Sequence, residues 1–183
     1  MRLHSVDATK NHSLCKLVRN LYYRAFPDAE RLPWWLLRLN SCRRDIDLTA
    51  WMDGDKFCGF TASTTVEGLH FLLFFAVAED CRSMGYGTAI LQAIQKEHPA
   101  VVLNIELLDP DAPNYPERLR RFAFYQKNGF HDAHYHVWEV GGKFRVLSTE
   151  LPLDVKRYKQ IFRKLTLGLW DVKLLPATDE QNG

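Results

Sequence analysis

Residues 71–78, FLLFFAVA, form an unbroken apolar run, and Gly85 and Gly87 follow within nine residues. Ile90, Leu91 and Ile94 then mark one face of an amphipathic helix. A strand that feeds straight into a helix leaves the first N–H groups of that helix without intrahelical acceptors. Together with the positive end of the helix dipole they attract anions, and glycine lets a phosphate oxygen come close to the backbone. The sequence therefore predicts a phosphate cradle built from the N–H groups of about Met84 to Thr88. Two known cradles do not match it. A nucleotide P-loop needs a lysine followed by Ser or Thr, and none stands near this loop. A dinucleotide fingerprint starting at Gly85 needs a third glycine at position 90, which is Ile90.

The stretch Val77, then Arg82, Ser83, Met84, Gly85, Tyr86 and Gly87, resembles the hallmark of the GNAT superfamily of N-acetyltransferases. That hallmark runs from an apolar strand through Arg or Gln to x-x-Gly-x-Gly or Ala. About forty residues on, RRFAFYQKNGF resembles the second family motif, with Tyr125, Gly129 and Phe130 in its places. The resemblance covers residues from about 45 to 140. It implies acetyl-CoA as co-substrate, with Arg82, Ser83, Met84, Gly85, Tyr86, Gly87 and Thr88 around the CoA diphosphate. It implies as well that the central strand parts from its neighbour, so that pantetheine pairs with backbone near Ala76, Val77 and Ala78. Two positions depart from the family pattern: Glu79 replaces a frequent proline, and Arg118 replaces a frequent asparagine seven before the tyrosine.

Acetyl transfer from a thioester to an amine needs positioning, a donor for the carbonyl oxygen, an acid for the departing sulfur and a base for the ammonium. A backbone N–H on the central strand could supply the oxygen donor. Tyr125 is the candidate acid, because a phenol with a pKa near ~10 stays protonated at neutral pH. Helical steps of about 100° set Arg118, Arg121 and Tyr125 on one side and leave Leu119, Phe122 and Ala123 for the core. Arg118 and Arg121 could pair with cofactor phosphate. Glu106, inside LNIELLD, is the first candidate for the base, since burial raises a carboxyl pKa. Asp109, Glu67 and Glu30 lie on loops that could also reach the acceptor. The expected activity is direct transfer to a primary amine of a small molecule or peptide, without metal. The alternatives are another acyl-CoA donor, or a CoA-binding or protein-interaction module that keeps the fold without turnover.

The elements that would position these groups follow from patterning. The order is strand, two helices, three antiparallel strands, helix, strand, helix and closing hairpin. This predicts an α/β (α+β) fold: a mixed, mainly antiparallel sheet flanked by helices. Residues 1–150 make the domain, 151–176 a C-terminal amphipathic helical extension with apolar positions from Tyr158 to Leu169, and 177–183 a disordered tail. Asp7 or Thr9 is expected to cap the first helix.

Composition narrows the partners. Twenty-four basic residues against 22 acidic ones give a net charge of +2, too little for a nucleic-acid binder. The start MRLHSVDATK lacks a signal-peptide core, and the longest apolar run is too short to span a bilayer. The four cysteines are scattered, which suits free thiols in a reducing cytosol and a cytoplasmic protein. His134 and His136 alternate on a strand and would share a face, but no partner completes a zinc set. Cys81 lies beside the cradle. PWWLL, residues 33–37, reads as an aromatic wall over the acceptor. The terminal helix leaves a homodimer open, and no membrane partner is expected.

Overall fold

The computed structural model describes residues 2–43, 45–139, 142–166 and 172–177. Among them, eight strands form one sheet in the order β1-β2-β3-β4-β5-β7-β6-β8. These are β1 (Leu3–Asp7), β2 (Asp47–Asp53), β3 (Lys56–Val66), β4 (Leu69–Val77), β5 (Ala100–Glu106), β6 (His131–Glu139), β7 (Gly142–Ser148) and β8 (Lys173–Pro176). Every neighbouring pair is antiparallel except β4 with β5. The mixed, helix-flanked sheet is the architecture that the patterning predicts.

Among the described residues, five α-helices cover the sheet: α1 (His12–Ala25), α2 (Trp34–Cys42), α3 (Tyr86–Glu97), α4 (Tyr115–Lys127) and α5 (Val155–Leu165). Residues of α1 and α2 pack with Leu48, Phe60 and Phe74 of the strands, while α5 packs with Phe71, Val102 and Val146. Alternation along the strands sends Trp51, Leu72, Val101 and Leu103 to the opposite face, where α3 supplies Ile90, Leu91 and Ile94. The cap of α1 is Asn11, whose side chain accepts the N–H of Leu14. Asp7 instead caps a separate short 3-10 turn, Ala8–Lys10, so the capping expectation was one element early.

In the C-terminal segment, Tyr158, Ile161 and Phe162 of α5 are buried in the domain core. The chain then adds β8 to the edge of β6, a strand of four residues, too short to show a period in the sequence. Leu169 and residues 178–183 lie outside the described residues. His134 and His136 do not share a face, because the β6–β7 register shifts between Asp132 and His136. His134 sits at φ 56 and is exposed, whereas His136 is buried. Such a bulge breaks the two-residue period on which the expectation rested.

Candidate active site

Strand β4 pairs with β5 only at Leu69, His70 and Phe71, opposite Ala100, Val101 and Val102. Beyond that point β5 continues beside β7 and β4 beside β3, so the two centre strands part. The β3–β4 register shifts at the same place: Ala62 faces Phe74 and Ser63 faces Leu72, which leaves Leu73 as the extra residue of a bulge. A bulge bends and twists its strand, and here it carries the end of β4 away from β5.

The open edge of β4 can be read from its hydrogen bonds. The N–H of Ala78 donates to Cys58 O at 2.8 Å, towards β3. Alternation along an antiparallel pair turns the peptide groups of Ala76 and Phe74 the same way, and leaves those of Phe75 and Val77 facing the gap. Of the three residues read from the sequence, Val77 alone presents its backbone there. Phe75 was missed, although a two-residue count along the strand would have paired it with Val77. The ring of Phe75 stacks on Phe124 of α4, with centroids 6.5 Å apart.

At the end of β4 the chain makes a 3-10 turn, Glu79–Cys81, and an exposed loop through Arg82, Ser83 and Met84. Ser83 at φ 60 and Gly85 at φ 84 are both left-handed. Gly85 caps α3, and a Cβ there would meet nothing within 4 Å, so conformation and not crowding calls for glycine. The N–H groups of Tyr86, Gly87 and Thr88 begin the helix, no acidic residue lies in that first turn, and Ala89 N–H already donates to Gly85 O at 3.0 Å. Gly87 has another task. A Cβ at this position would sit 3.1 Å from the Phe124 ring and 3.5 Å from Val77, so its bareness lets α3 approach β4 and α4. The Tyr86 side chain is buried and its hydroxyl donates to Asp53 Oδ2 at 2.8 Å, which ties the helix start to β2. Arg82 Nε donates to Val77 O at 3.5 Å across the loop.

Helix α4 lies along the other wall. Leu119 and Ala123 face solvent, and the residues packed inward are Phe122, Phe124 and Tyr125. The expected core face is therefore rotated, because no residue of α4 is fully buried and the apolar pattern is weak. Tyr125 packs edge-on against Phe130 at 5.6 Å, and its hydroxyl makes no hydrogen bond among the described residues. Burial pushes its phenol up to about 12, with Arg121 pulling slightly the other way.

Glu106 closes β5, and Arg118 and Arg121 both turn to it. Arg121 forms an ion pair with Glu106 Oε2, and Arg118 Nε lies 3.4 Å from Oε1. Asn114 Nδ2 adds a hydrogen bond to Oε1 at 3.0 Å, and Arg118 also donates to Leu107 O at 2.9 Å. The arginines expected on phosphate are thus committed to this carboxylate. Glu106 opens onto a cavity of about 520 Å³ shared with Glu30, Asp109, Arg118, Lys143 and Phe144. Glu67 is far away: it stands in the turn before β4, nine residues of extended chain or roughly 30 Å from Val77. Trp34 packs on Tyr22 with centroids 5.8 Å apart, while Trp35 is 67% exposed, so PWWLL is half core and half surface. Cys81 is buried and free, like Cys58 beside it in the fold. A second cavity of about 580 Å³ lies at the other end of the sheet, near His70 and His98, and holds none of these residues.

Residues 47–132 match the acetyltransferase (GNAT) domain family. The fold is that of GNAT acetyltransferases. The matched stretch takes in the bulged β4, the glycine loop, α3, β5 and α4. The YjbC protein of Bacillus subtilis (strain 168), itself assigned as an acetyltransferase, is 30% identical over 95 residues, covering 45% of this chain. The chain spans only 46% of that relative's length. Among solved structures, a GNAT-family acetyltransferase assigned in Bacteroides thetaiotaomicron superposes with a TM-score of 0.69 at 21% identity, covering 93% of this chain and all of that one. An aminoglycoside 6'-N-acetyltransferase complexed with coenzyme A gives 0.62 at 16% identity, covering 81% and 96%. The GNAT fold of this chain is thus common to both. Among the described residues, no cluster of three or more His, Cys, Asp or Glu could hold a metal, and no helix is long and apolar enough to cross a membrane.

Proposed function

We propose that the protein is an acetyl-CoA-dependent N-acetyltransferase, passing the acetyl group directly to a primary amine of a small molecule or peptide. The observation that carries this reading is the parting of β4 from β5 beside a helix that opens on bare N–H groups. The similar aminoglycoside acetyltransferase, solved with coenzyme A, supports the choice of donor. The residues fit that donor. Tyr86, Gly87 and Thr88 offer N–H groups and a helix dipole to a diphosphate, and the loop ahead of them is exposed. Phe75 and the N–H of Val77 offer peptide groups to an amide-bearing arm in the gap.

Acetyl-CoA supplies the thioester carbonyl and the leaving sulfur. The chain supplies alignment, since strand pairing and the anchored diphosphate remove the freedom of the donor before the amine arrives. An N–H on the open edge of β4 can donate to the carbonyl oxygen as charge grows on it. Tyr125 holds its proton at all neutral pH values and can give it to the departing sulfur. The cavity that Glu106 and Glu30 share gives the acceptor amine a place beside a carboxylate.

Thermal unfolding with rising acetyl-CoA tests the first half of the proposal. At a hundred times Kd the folded state gains about 2.7 kcal/mol, or roughly 5–10 °C in a chain of this size. No shift at millimolar cofactor overturns it. Release of free thiol with a panel of alkylamines tests the second half, and identifies the acceptor class.

A further inference from the structure

The cavity beyond the β4–β5 gap holds two carboxylates in unlike settings. Both oxygens of Glu106 are taken, by Arg121, Arg118 and Asn114. A carboxylate gripped in this way has both oxygens occupied before an acceptor arrives. Glu30 comes from the short 3-10 turn Asp28–Glu30 ahead of α2 and lines the same cavity. It is half-buried, and its carboxylate makes no hydrogen bond or ion pair among the described residues. Its neighbour Arg31 is engaged elsewhere, donating to Tyr23 O at 3.0 Å and pairing with Asp28. Resting on the N-acetyltransferase reading, we infer that Glu30 is the base that takes a proton from the acceptor's ammonium, while Glu106 stays tied to Arg118, Arg121 and Asn114.

The surroundings favour this division. Burial raises the Glu30 carboxyl above its ordinary value, the charge of Glu106 raises it further, and Arg121 and Arg118 on α4 pull it back. Asp109 and Lys143, on the remaining walls, carry opposite charges. The protons then balance. Glu30 takes one from R–NH3+, and the neutral nitrogen forms the C–N bond as the C–S bond breaks. The sulfur takes the Tyr125 proton, Tyr125 regains the extra proton of the new amide nitrogen, and Glu30 returns its own to solvent.

The test compares two acceptors at pH 7: an alkylamine, almost wholly ammonium, and methoxyamine, a weak base that is almost wholly neutral there. Glu30→Gln should lower kcat/KM for the alkylamine by roughly 10²-fold and move the acid limb of its pH profile up toward the amine's own pKa. With methoxyamine, which needs no base, the loss should stay within a few-fold. The acetyl-CoA shift in melting temperature should be unchanged, which excludes misfolding. Equal losses with both acceptors, or an intact acid limb, would overturn the assignment while leaving the transferase reading standing. Wild-type protein that releases no thiol with any amine would overturn the reading and the base together.

Discussion

Replacing Glu139 with glutamine should make the folded protein more stable at alkaline pH and leave it unchanged in acid. Glu139 ends β6 and is half-buried, with one partner chain leading inward: Asn104 Nδ2 donates to Glu139 Oε1, and the Tyr158 hydroxyl donates to Asn104 Oδ1 at 3.0 Å. Burial pushes the carboxyl from 4.5 up to about 7, with the Asn104 bond pulling downward. An acid whose folded pKa is raised keeps its full contribution below the unfolded value and loses it as pH climbs to the folded one. The loss therefore falls between about pH 4.5 and 7, and at about 1.4 kcal/mol per unit it comes to about 3 kcal/mol above that window. Glutamine keeps an oxygen for Asn104 and never ionises. At pH 8, Glu139→Gln should raise Tm by roughly 6–12 °C, and below pH 4.5 by close to nothing. His70 supplies an opposing slope. It is 5% exposed, stacks on His98 at 4.0 Å and shares a 2.9 Å hydrogen bond between its Nδ1 and Thr65. Burial, with the nearby His98 charge, lowers it from 6.5 to about 3. A base lowered in this way leaves stability intact above pH 6.5 and drains it as pH falls further. Wild-type Tm should thus be nearly flat from pH 4.5 to 6.5, and Glu139→Gln should uncover a steady fall toward acid. Melting curves of the two proteins from pH 4 to 8.5 decide the matter: parallel curves would refute the reasoning.

Tyr125→Phe should cut thiol release by roughly 10²–10⁴-fold at constant Tm, since the hydroxyl has no hydrogen bond to lose. Full activity in that variant would remove the tyrosine from the chemistry. Gly85→Ala forces a Cβ onto φ 84 and should cost about 1 kcal/mol, with a smaller acetyl-CoA shift because the loop geometry changes. Gly87→Ala should lower Tm through Phe124 while the loop ahead of it stays in place, so its acetyl-CoA shift should survive. Ile161→Ala, fully buried in α5, should cost roughly 2–4 kcal/mol by chemical denaturation. A value near zero would show that α5 adds nothing to the stability of the core.

The order of strands and helices was legible because long periodic stretches announce themselves, and the glycine loop because two spaced glycines follow an apolar run. What escaped depends on contacts between distant segments. The carboxylate that ended inside a cluster of arginines looked, in LNIELLD, like a lone acid in an apolar strand. Nothing local in that stretch reveals that Arg118 and Arg121 fold back onto it. Glu30 was named only among loop acids, since its place in the cavity depends on how the turn before α2 crosses the sheet. The faces of α4 were misassigned for a related reason: with no fully buried residue, its periodicity says little about which side meets Phe75.

The gap between β4 and β5 is itself a consequence of one residue. A lone parallel pair in an otherwise antiparallel sheet could run the length of both strands, and here it ends at Phe71. Leu73 follows as the unpaired residue of the β3–β4 bulge, and from Phe74 onward the strand is held by β3 alone. Because one inserted residue reverses the faces of those after it, Phe71 and Phe74 serve cores on the same side, while Leu72, Phe75 and Val77 share the other. The same insertion opens the peptide edge and aims Phe75 at α4. The apolar run FLLFFAVA hides this, since every residue in it suits either face. Polar alternation would have exposed the slip, and a strand covered on both sides offers none.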